Sequence, residues 1–62
     1  MEKKSLRELR AKFNETQTET AQALDVSPQT YNAWEQNPGI IKLSNLKKIQ
    51  EHFKISLDEI RL

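Results

Sequence analysis

The chain has 62 residues, enough for one small domain, and it contains no cysteine. This composition excludes a disulfide framework and thiolate-bound zinc or iron–sulfur sites, and no apolar run approaches the roughly 20 residues of a membrane-spanning helix. The net charge of +1 is unevenly distributed, because residues 13–36 contain four acids and no Lys or Arg, whereas residues 1–12 and 37–54 are basic.

Apolar residues recur at helical spacing along nearly the whole chain, and no alternating β-branched run competes with them. Ser27 before Pro28 marks a helix start. Three Ser/Thr-x-x-Glu patterns have the spacing of a capping box, which satisfies backbone N–H groups at a helix start: Ser5 with Glu8, Thr16 with Glu19, and Ser56 with Glu59. We therefore predict an all-α fold of five short helices, near residues 5–13, 17–24, 28–36, 43–53 and 57–61.

The second and third predicted helices are joined by a very short connection. Asn14 and Asp25 follow the first two helices, and both residue types tolerate the left-handed conformation in which helices often end. Only about three residues then lead into the third helix, and the small side chain of Ala21 allows it to cross closely. This arrangement is typical of a helix-turn-helix, here at about residues 17–36.

The third predicted helix has an unusual outward face. Its large apolar residues, Tyr31 and Trp34, are spaced i, i+3 and are expected to pack in the core with Val26 rather than to stack on bases. The opposite half carries uncharged amides and a methyl group: Gln29, Asn32, Ala33 and Gln36. Gln or Asn can donate to and accept from adenine in the major groove, and a methyl group can pack on that of thymine. The alternative interpretation is a merely soluble polar face.

The run TQTETAQALDVSPQTYNAWEQ, residues 16–36, resembles the helix-turn-helix of the phage Cro/repressor (XRE-type) DNA-binding domains. The resemblance extends over nearly the whole chain: LRELRAKF is similar to the first helix of the family, and LSNLKKIQEHFKISLDEI to the last two. It implies a single lambda-repressor-like domain over residues 1–62, with the third helix lying in the major groove.

The same resemblance implies a set of contact residues. Those nearest the base edges would be Ser27, Pro28, Gln29, Asn32 and Ala33. Those meeting the phosphates would be Gln17, Gln36, Asn37 and Lys42. Arg10 and Glu35 would pair and tie the first helix to the third.

The chain also departs from the family pattern. Asn14 and Asp25 stand where Gly is common, and Thr20 stands where a large apolar residue is usual. Pro28 removes a hydrogen-bonding side chain from a frequent base-reading position, and the loop QNPGIIK is less basic than usual. Fewer basic contacts release fewer counterions from DNA, so we expect modest affinity from a monomer.

The predicted function is sequence-specific binding of double-stranded DNA by a small transcriptional regulator, a phage- or prophage-type repressor. Such proteins usually bind pseudo-palindromic operators as dimers, with half-sites about 34 Å apart. A self-association surface is expected in the C-terminal part, although the same residues would equally complete the core: Phe53, Ile55, Leu57, Ile60 and Leu62.

The main rival is a protein-interaction module on the same fold, of antirepressor or antitoxin type. In this hypothesis the acidic middle segment and exposed Ile40 and Ile41 would bind another regulator. If DNA is the ligand instead, Lys42, Arg10 and backbone N–H groups of the second and third helices should converge on one surface. A fragment of a longer regulator is a third, weaker hypothesis.

No catalytic or cofactor-binding pattern is expected. His52 is the only histidine, so a metal site is not predicted, and the residue is expected at the surface. Adjacent Asp58 and Glu59 diverge by about 100° on a helix and cannot form a catalytic pair. We therefore predict a cytoplasmic, nucleoid-associated protein that is not an enzyme and uses no cofactor, metal, membrane or small-molecule ligand.

Overall fold

The computed structural model describes residues 3–62, and within them the regular elements are helical apart from one isolated bridge. Four α-helices and two single 3₁₀ turns follow in chain order: α1 (Leu6–Lys12), α2 (Gln17–Ala23), α3 (Pro28–Gln36), the turn Pro38–Ile40, α4 (Leu43–Phe53) and the turn Leu57–Glu59. The all-α class and the first four predicted helices are confirmed, with ends that differ by one residue at most. None of the helices described in residues 3–62 is long and apolar enough to span a membrane.

The predicted fifth α-helix is wrong, because the segment forms only one 3₁₀ turn. The N–H of Glu59 bonds to the carbonyl of Ser56 at 3.1 Å, which is the tighter i→i+3 pattern. Ile60 is then extended and forms a parallel bridge with Lys4. In this bridge Lys4 donates to the Glu59 carbonyl and Arg61 donates to the Lys4 carbonyl, both at 2.8 Å. Pairing with the N-terminal segment thus replaces the hydrogen bonds that a longer helix would have made.

The helix starts are formed by the expected local hydrogen bonds. The Ser5 hydroxyl accepts from the Glu8 N–H at 3.2 Å, and the Glu8 carboxylate accepts from the Ser5 N–H at 2.9 Å. Thr16 and Glu19 form the same reciprocal pair at the start of α2. Because a capping box involves residues only three apart, it forms wherever the local sequence allows a helix to begin.

In the described part of the chain, three residues other than glycine have left-handed backbone conformations and end helices. Asn14 (φ 57°) and Asp25 (φ 60°) do so as predicted. Lys54 (φ 55°) does the same after α4 and was not predicted. A Cβ is disfavoured in this conformation by about 1–2 kcal/mol, and Lys lacks the short polar side chain that eases the penalty for Asn and Asp.

A single hydrophobic cluster lies beneath α3 and joins all four helices to the C-terminal segment. Tyr31 and Trp34 are buried within it, which confirms their assignment to the core, and Val26 packs against its edge. The cluster consists of Leu6, Leu9, Ala21, Leu24, Tyr31, Trp34, Ile41, Leu46, Ile49, Phe53 and Ile60. Burial of these residues holds α3 from its inner side and leaves its outer side at the surface.

Several residues expected at the surface are instead part of this core. Ile41 is buried, so of the two loop isoleucines only Ile40, which is 52% exposed, is available to a partner. Phe53 and Ile60 are 2% and 1% exposed and therefore complete the core of the single chain, which was the alternative to a dimer surface. Ile55 is half-buried against them, whereas the remaining two predicted dimer residues, Leu57 and Leu62, are exposed.

Candidate nucleic-acid interface

The corner between α2 and α3 sets the orientation of the candidate recognition helix. Asp25 reverses the chain in its left-handed conformation, and the N–H of Val26 donates to the Ala21 carbonyl at 3.0 Å. The Ala21 side chain is completely buried, as a close crossing requires. α3 therefore begins at Pro28 directly after the turn, and its direction is determined by tertiary packing and by local hydrogen bonds.

The outer face of α3 is largely open, as the helical periodicity predicted. Gln29 and Gln36 are exposed, while Asn32 and Ala33 are half-buried near α2. The Gln29 amide makes no hydrogen bond to another side chain among residues 3–62, so both its donor and its acceptor face solvent. The face thus contains two exposed amides, those of Gln29 near its start and Gln36 at its end, with the partly enclosed amide of Asn32 between them.

Ser27 is exposed at the start of α3, but its hydroxyl is already engaged. It accepts from the Thr30 N–H at 3.1 Å and donates to the Thr30 hydroxyl at 2.9 Å. A hydroxyl has a single proton to donate. In this arrangement Ser27 can therefore offer a base only an acceptor, and its main role is to cap the helix.

Arg10 and Glu35 form the expected pair across α1 and α3. Arg10 Nε donates to Glu35 Oε2 at 2.7 Å, and the Glu35 side chain is only 3% exposed. A second Arg10 nitrogen donates to the Glu15 carbonyl at 2.9 Å. Burial by itself would raise the pKa of Glu35, but hydrogen bonds from Arg10 and Gln17 outweigh it and hold the pKa below its ordinary value.

The same contacts remove Arg10 from any DNA-facing basic patch. Its guanidinium is directed at Glu35 and Glu15, so its charge is compensated inside the protein. Lys42 remains exposed, at the position just before α4. Of these two cations, only Lys42 therefore has a charge that is not already paired with Glu35.

Gln17 is also directed inward. Its Nε2 donates to Glu35 Oε1 at 2.9 Å and to Asn32 Oδ1 at 3.1 Å. A primary amide nitrogen carries two protons, and both are used in these bonds. The predicted phosphate contact of the Gln17 side chain therefore requires breaking one of them.

A second polar cluster, centred on Glu15, was missed from the sequence. The Glu15 carboxylate accepts from the Thr20 hydroxyl at 2.6 Å and lies 2.9 Å from His52 Nε2. Burial alone would raise the pKa of Glu15, but hydrogen bonds from His52 and Thr20 lower it. His52 is thus half-buried against Glu15 and the rings of Phe13 and Phe53, and is not the surface residue expected.

This second cluster explains why the polar residue Thr20 is fully buried. A large apolar residue at this position would leave the Glu15 carboxylate without one of its two donors. No local pattern could have indicated the cluster, because Glu15 and His52 lie far apart in the chain and on different elements. Among the described residues no group of three or more His, Cys, Asp or Glu side chains could hold a metal ion.

A family model described as Helix-turn-helix (HTH_3) matches residues 6–60, which include all four helices and both 3₁₀ turns. No curated protein and no solved structure matches the chain.

Proposed function

The chain belongs to the helix-turn-helix family of the XRE/Cro-C1 type, a family of DNA-binding transcription regulators, and from this membership we propose that it is a small phage- or prophage-type repressor. It binds a pseudo-palindromic operator with α3 in the major groove. Repression follows because the bound protein occupies the operator. The residues proposed at the base edges are Ser27, Pro28, Gln29, Asn32 and Ala33.

The observation that carries this proposal is the exposed Gln29 amide on a helix held firmly from beneath. Tyr31 and Trp34 on the inner face of α3 are buried in the core, so the helix cannot rotate about its own axis. Gln29 carries a free donor and a free acceptor at the exposed start of this helix. That pair matches adenine N6 and N7 in the major groove, whereas a Lys at the same place would mainly meet phosphate.

The phosphate contacts are proposed at the end of α3 and in the loop that follows it. Gln36, Asn37 and Lys42 are all exposed there. Because residues 13–36 contain no Lys or Arg, few counterions are released on binding, and the affinity of one chain for any duplex is low. Two chains on half-sites about 34 Å apart compensate for this weakness.

Self-association on DNA is proposed through the exposed part of the C-terminal segment. Leu57 and Leu62 are 39% and 57% exposed and lie on either side of the bridge residue Ile60. Two leucines bury too little apolar area for a strong dimer in free solution, at about 25 cal/mol per Å². The dimer therefore forms mainly when the operator holds two chains side by side.

A protein-interaction module is the second candidate, and one observation favours it. Ile40 and Leu43 are 52% and 61% exposed at the exit from α3, next to Lys42. Exposed apolar side chains are more typical of protein contacts than of phosphate contacts. In this case α3 serves as scaffold, and another regulator binds the loop between α3 and α4.

Selection of bound duplexes from a random pool tests both candidates. The repressor proposal requires a palindromic consensus, and the interaction module requires that no duplex be enriched. On the selected duplex Gln29→Ala should weaken binding about 5- to 150-fold, the equivalent of roughly 1–3 kcal/mol for one bidentate base contact, while binding to random duplexes changes little.

Gln22→Ala is the matched control for this experiment. Gln22 is an exposed glutamine on α2 and is not one of the proposed contact residues. Its replacement should leave both affinities unchanged. If Gln29→Ala keeps the affinity of the unaltered chain for the selected duplex, the base-contact assignment is incorrect.

A further inference from the structure

Hydrogen bonds join the side chains of Arg10, Gln17, Asn32 and Glu35. The donor and the acceptor of each bond in this network can be assigned in only one way. A carboxylate accepts and cannot donate, so the Gln17 side chain must turn its NH₂ group toward Glu35. The second proton of that NH₂ group goes to Asn32, which must therefore turn its oxygen toward Gln17. The orientation of the Asn32 amide is thus set by Glu35, two hydrogen bonds away.

This chain of bonds distinguishes Asn32 from Gln29. Gln29 is exposed and bonds to no other side chain of residues 3–62, so its amide can rotate and present either end to a base. Asn32 is half-buried with its oxygen engaged, and its NH₂ group is the end left free. An amide held in this way offers donors but cannot turn over to offer an acceptor in their place.

We infer that Asn32 is an oriented hydrogen-bond donor toward DNA, and that Gln17 and Glu35 are positioning residues that act through it without touching the duplex. The inference rests on the proposed function and refines it. The group that Asn32 contacts is a hydrogen-bond acceptor on the duplex, either a phosphate oxygen or the N7 and O6 edge of a guanine. The Gln17 side chain then affects binding through Asn32 and makes no phosphate contact of its own.

A double-mutant cycle on the selected duplex separates these two roles of Gln17. Gln17→Met keeps the side-chain length, removes both N–H donors and leaves the Arg10–Glu35 pair intact. Asn32→Ala removes the proposed donor. Each single variant should bind the selected duplex about tenfold more weakly, the size of one such hydrogen bond, and the double variant should be no weaker than Asn32→Ala alone.

Additive losses would overturn the inference. If Gln17 contacts phosphate directly, the double variant binds about 100-fold more weakly, because two independent contacts are lost. If the unaltered chain enriches no duplex at all, the proposed function fails and this inference fails with it. A duplex that binds well but gives additive losses rejects the inference alone.

Modified duplexes identify the acceptor. With the unaltered chain, one neutral methylphosphonate in place of the contacted phosphate, or one 7-deazaguanine in place of the contacted guanine, should weaken binding about tenfold. With Asn32→Ala the same modification should have no further effect. If each modification weakens binding by Asn32→Ala as much as it weakens binding by the unaltered chain, Asn32 does not donate to the duplex.

Glu35→Gln tests whether the Glu35 carboxylate sets the orientation of the Asn32 amide. A Gln at position 35 can donate as well as accept, so Gln17 and Asn32 are free to turn over. Binding should fall toward the level of Gln17→Met. Arg10→Gln is the matched control, since it removes the same ion pair but keeps the carboxylate. Both variants are compared at a temperature where the fluorescence of buried Trp34 reports a folded chain. Equal loss of affinity in the two variants would mean that Glu35 acts only by stabilising the fold.

Discussion

Replacing Arg10 by Met isolates the contribution of the ion pair between α1 and α3. The Met side chain retains most of the aliphatic part of Arg10, so the packing changes little. What is lost is the guanidinium that donates to both oxygens of Glu35, at 2.7 and 3.5 Å, and to the Glu15 carbonyl. Glu35, whose side chain is 3% exposed, loses these bonds and keeps the hydrogen bond from Gln17.

The expected loss of stability is large for so small a domain. Removing one partner of a buried pair costs about 3–5 kcal/mol, and because the Arg10 side chain is 18% exposed we expect the lower end, about 3 kcal/mol. A domain of this size has a free energy of unfolding of roughly 3–9 kcal/mol. The midpoint of thermal unfolding should fall by about 12–24 °C.

The loss of stability in Arg10→Met should be greater at pH 7 than at pH 4. Because the pKa of Glu35 is lowered in the folded chain, its ionised form stabilises the protein above the ordinary value of 4.5, and this stability disappears as the pH falls through the folded pKa. In Arg10→Met the hydrogen bonds and the charge of Arg10 no longer lower the pKa of Glu35, so this pKa should rise from its lowered value. Protonation then relieves the buried charge, so the difference between the two proteins is greatest at pH 7 and smaller at pH 4.

Urea unfolding at pH 7 and pH 4, followed by the fluorescence of Trp34, the only tryptophan, measures the loss of stability and its dependence on pH. Arg7→Met in the same helix is the control, since Arg7 is exposed and its replacement should change stability by no more than about 0.5 kcal/mol. A cost below about 1 kcal/mol for Arg10→Met at pH 7, or an equal cost at pH 7 and pH 4, would refute the buried-pair reasoning.

Three further substitutions have predicted effects on stability, one at the left-handed residue after α4 and two in the Glu15 cluster. Lys54→Gly should raise the free energy of unfolding by about 0.5–1 kcal/mol, because Gly adopts φ 55° without a Cβ penalty; an unchanged or lower midpoint in urea would contradict this. Thr20→Val should cost about 1–2 kcal/mol, since it removes the hydroxyl that donates to Glu15, and a neutral result would show that this bond adds nothing. His52→Ala should reduce the loss of stability below pH 4.5, because the lowered pKa of Glu15 stabilises the fold above that pH and is partly due to His52. An acid-unfolding curve with the same slope as that of the unaltered chain would disprove the last prediction.

The features predicted correctly from the sequence are those set by residues close together in the chain. The capping hydroxyls of Ser5, Thr16 and Ser27 act on N–H groups three residues ahead. Asn14 and Asp25 adopt φ > 0 because their own side chains tolerate it. The burial of Tyr31 and Trp34 follows from helical periodicity, since one face of α3 must cover the core.

The features that were missed depend on contacts between distant segments. The segment after Ser56 has a local start signal, but pairing with Lys4 ends it after one turn. Glu15 meets His52 only because the link between α1 and α2 packs against α4. Such pairings cannot be selected locally, because each polar group bonds to water almost equally well until packing excludes the water.

The sequence by itself therefore determined that the chain forms short capped helices, that α2 and α3 make a sharp corner, and that amides rather than charges line the outer face of α3. Only the tertiary structure decided which of those amides is free. Gln29 stays in solvent, whereas Asn32 is held through Gln17 by a carboxylate that burial has deprived of water. The physical reason is that helical periodicity sets the direction of a side chain, but its hydrogen-bond partner depends on which other helices packing brings within about 3 Å.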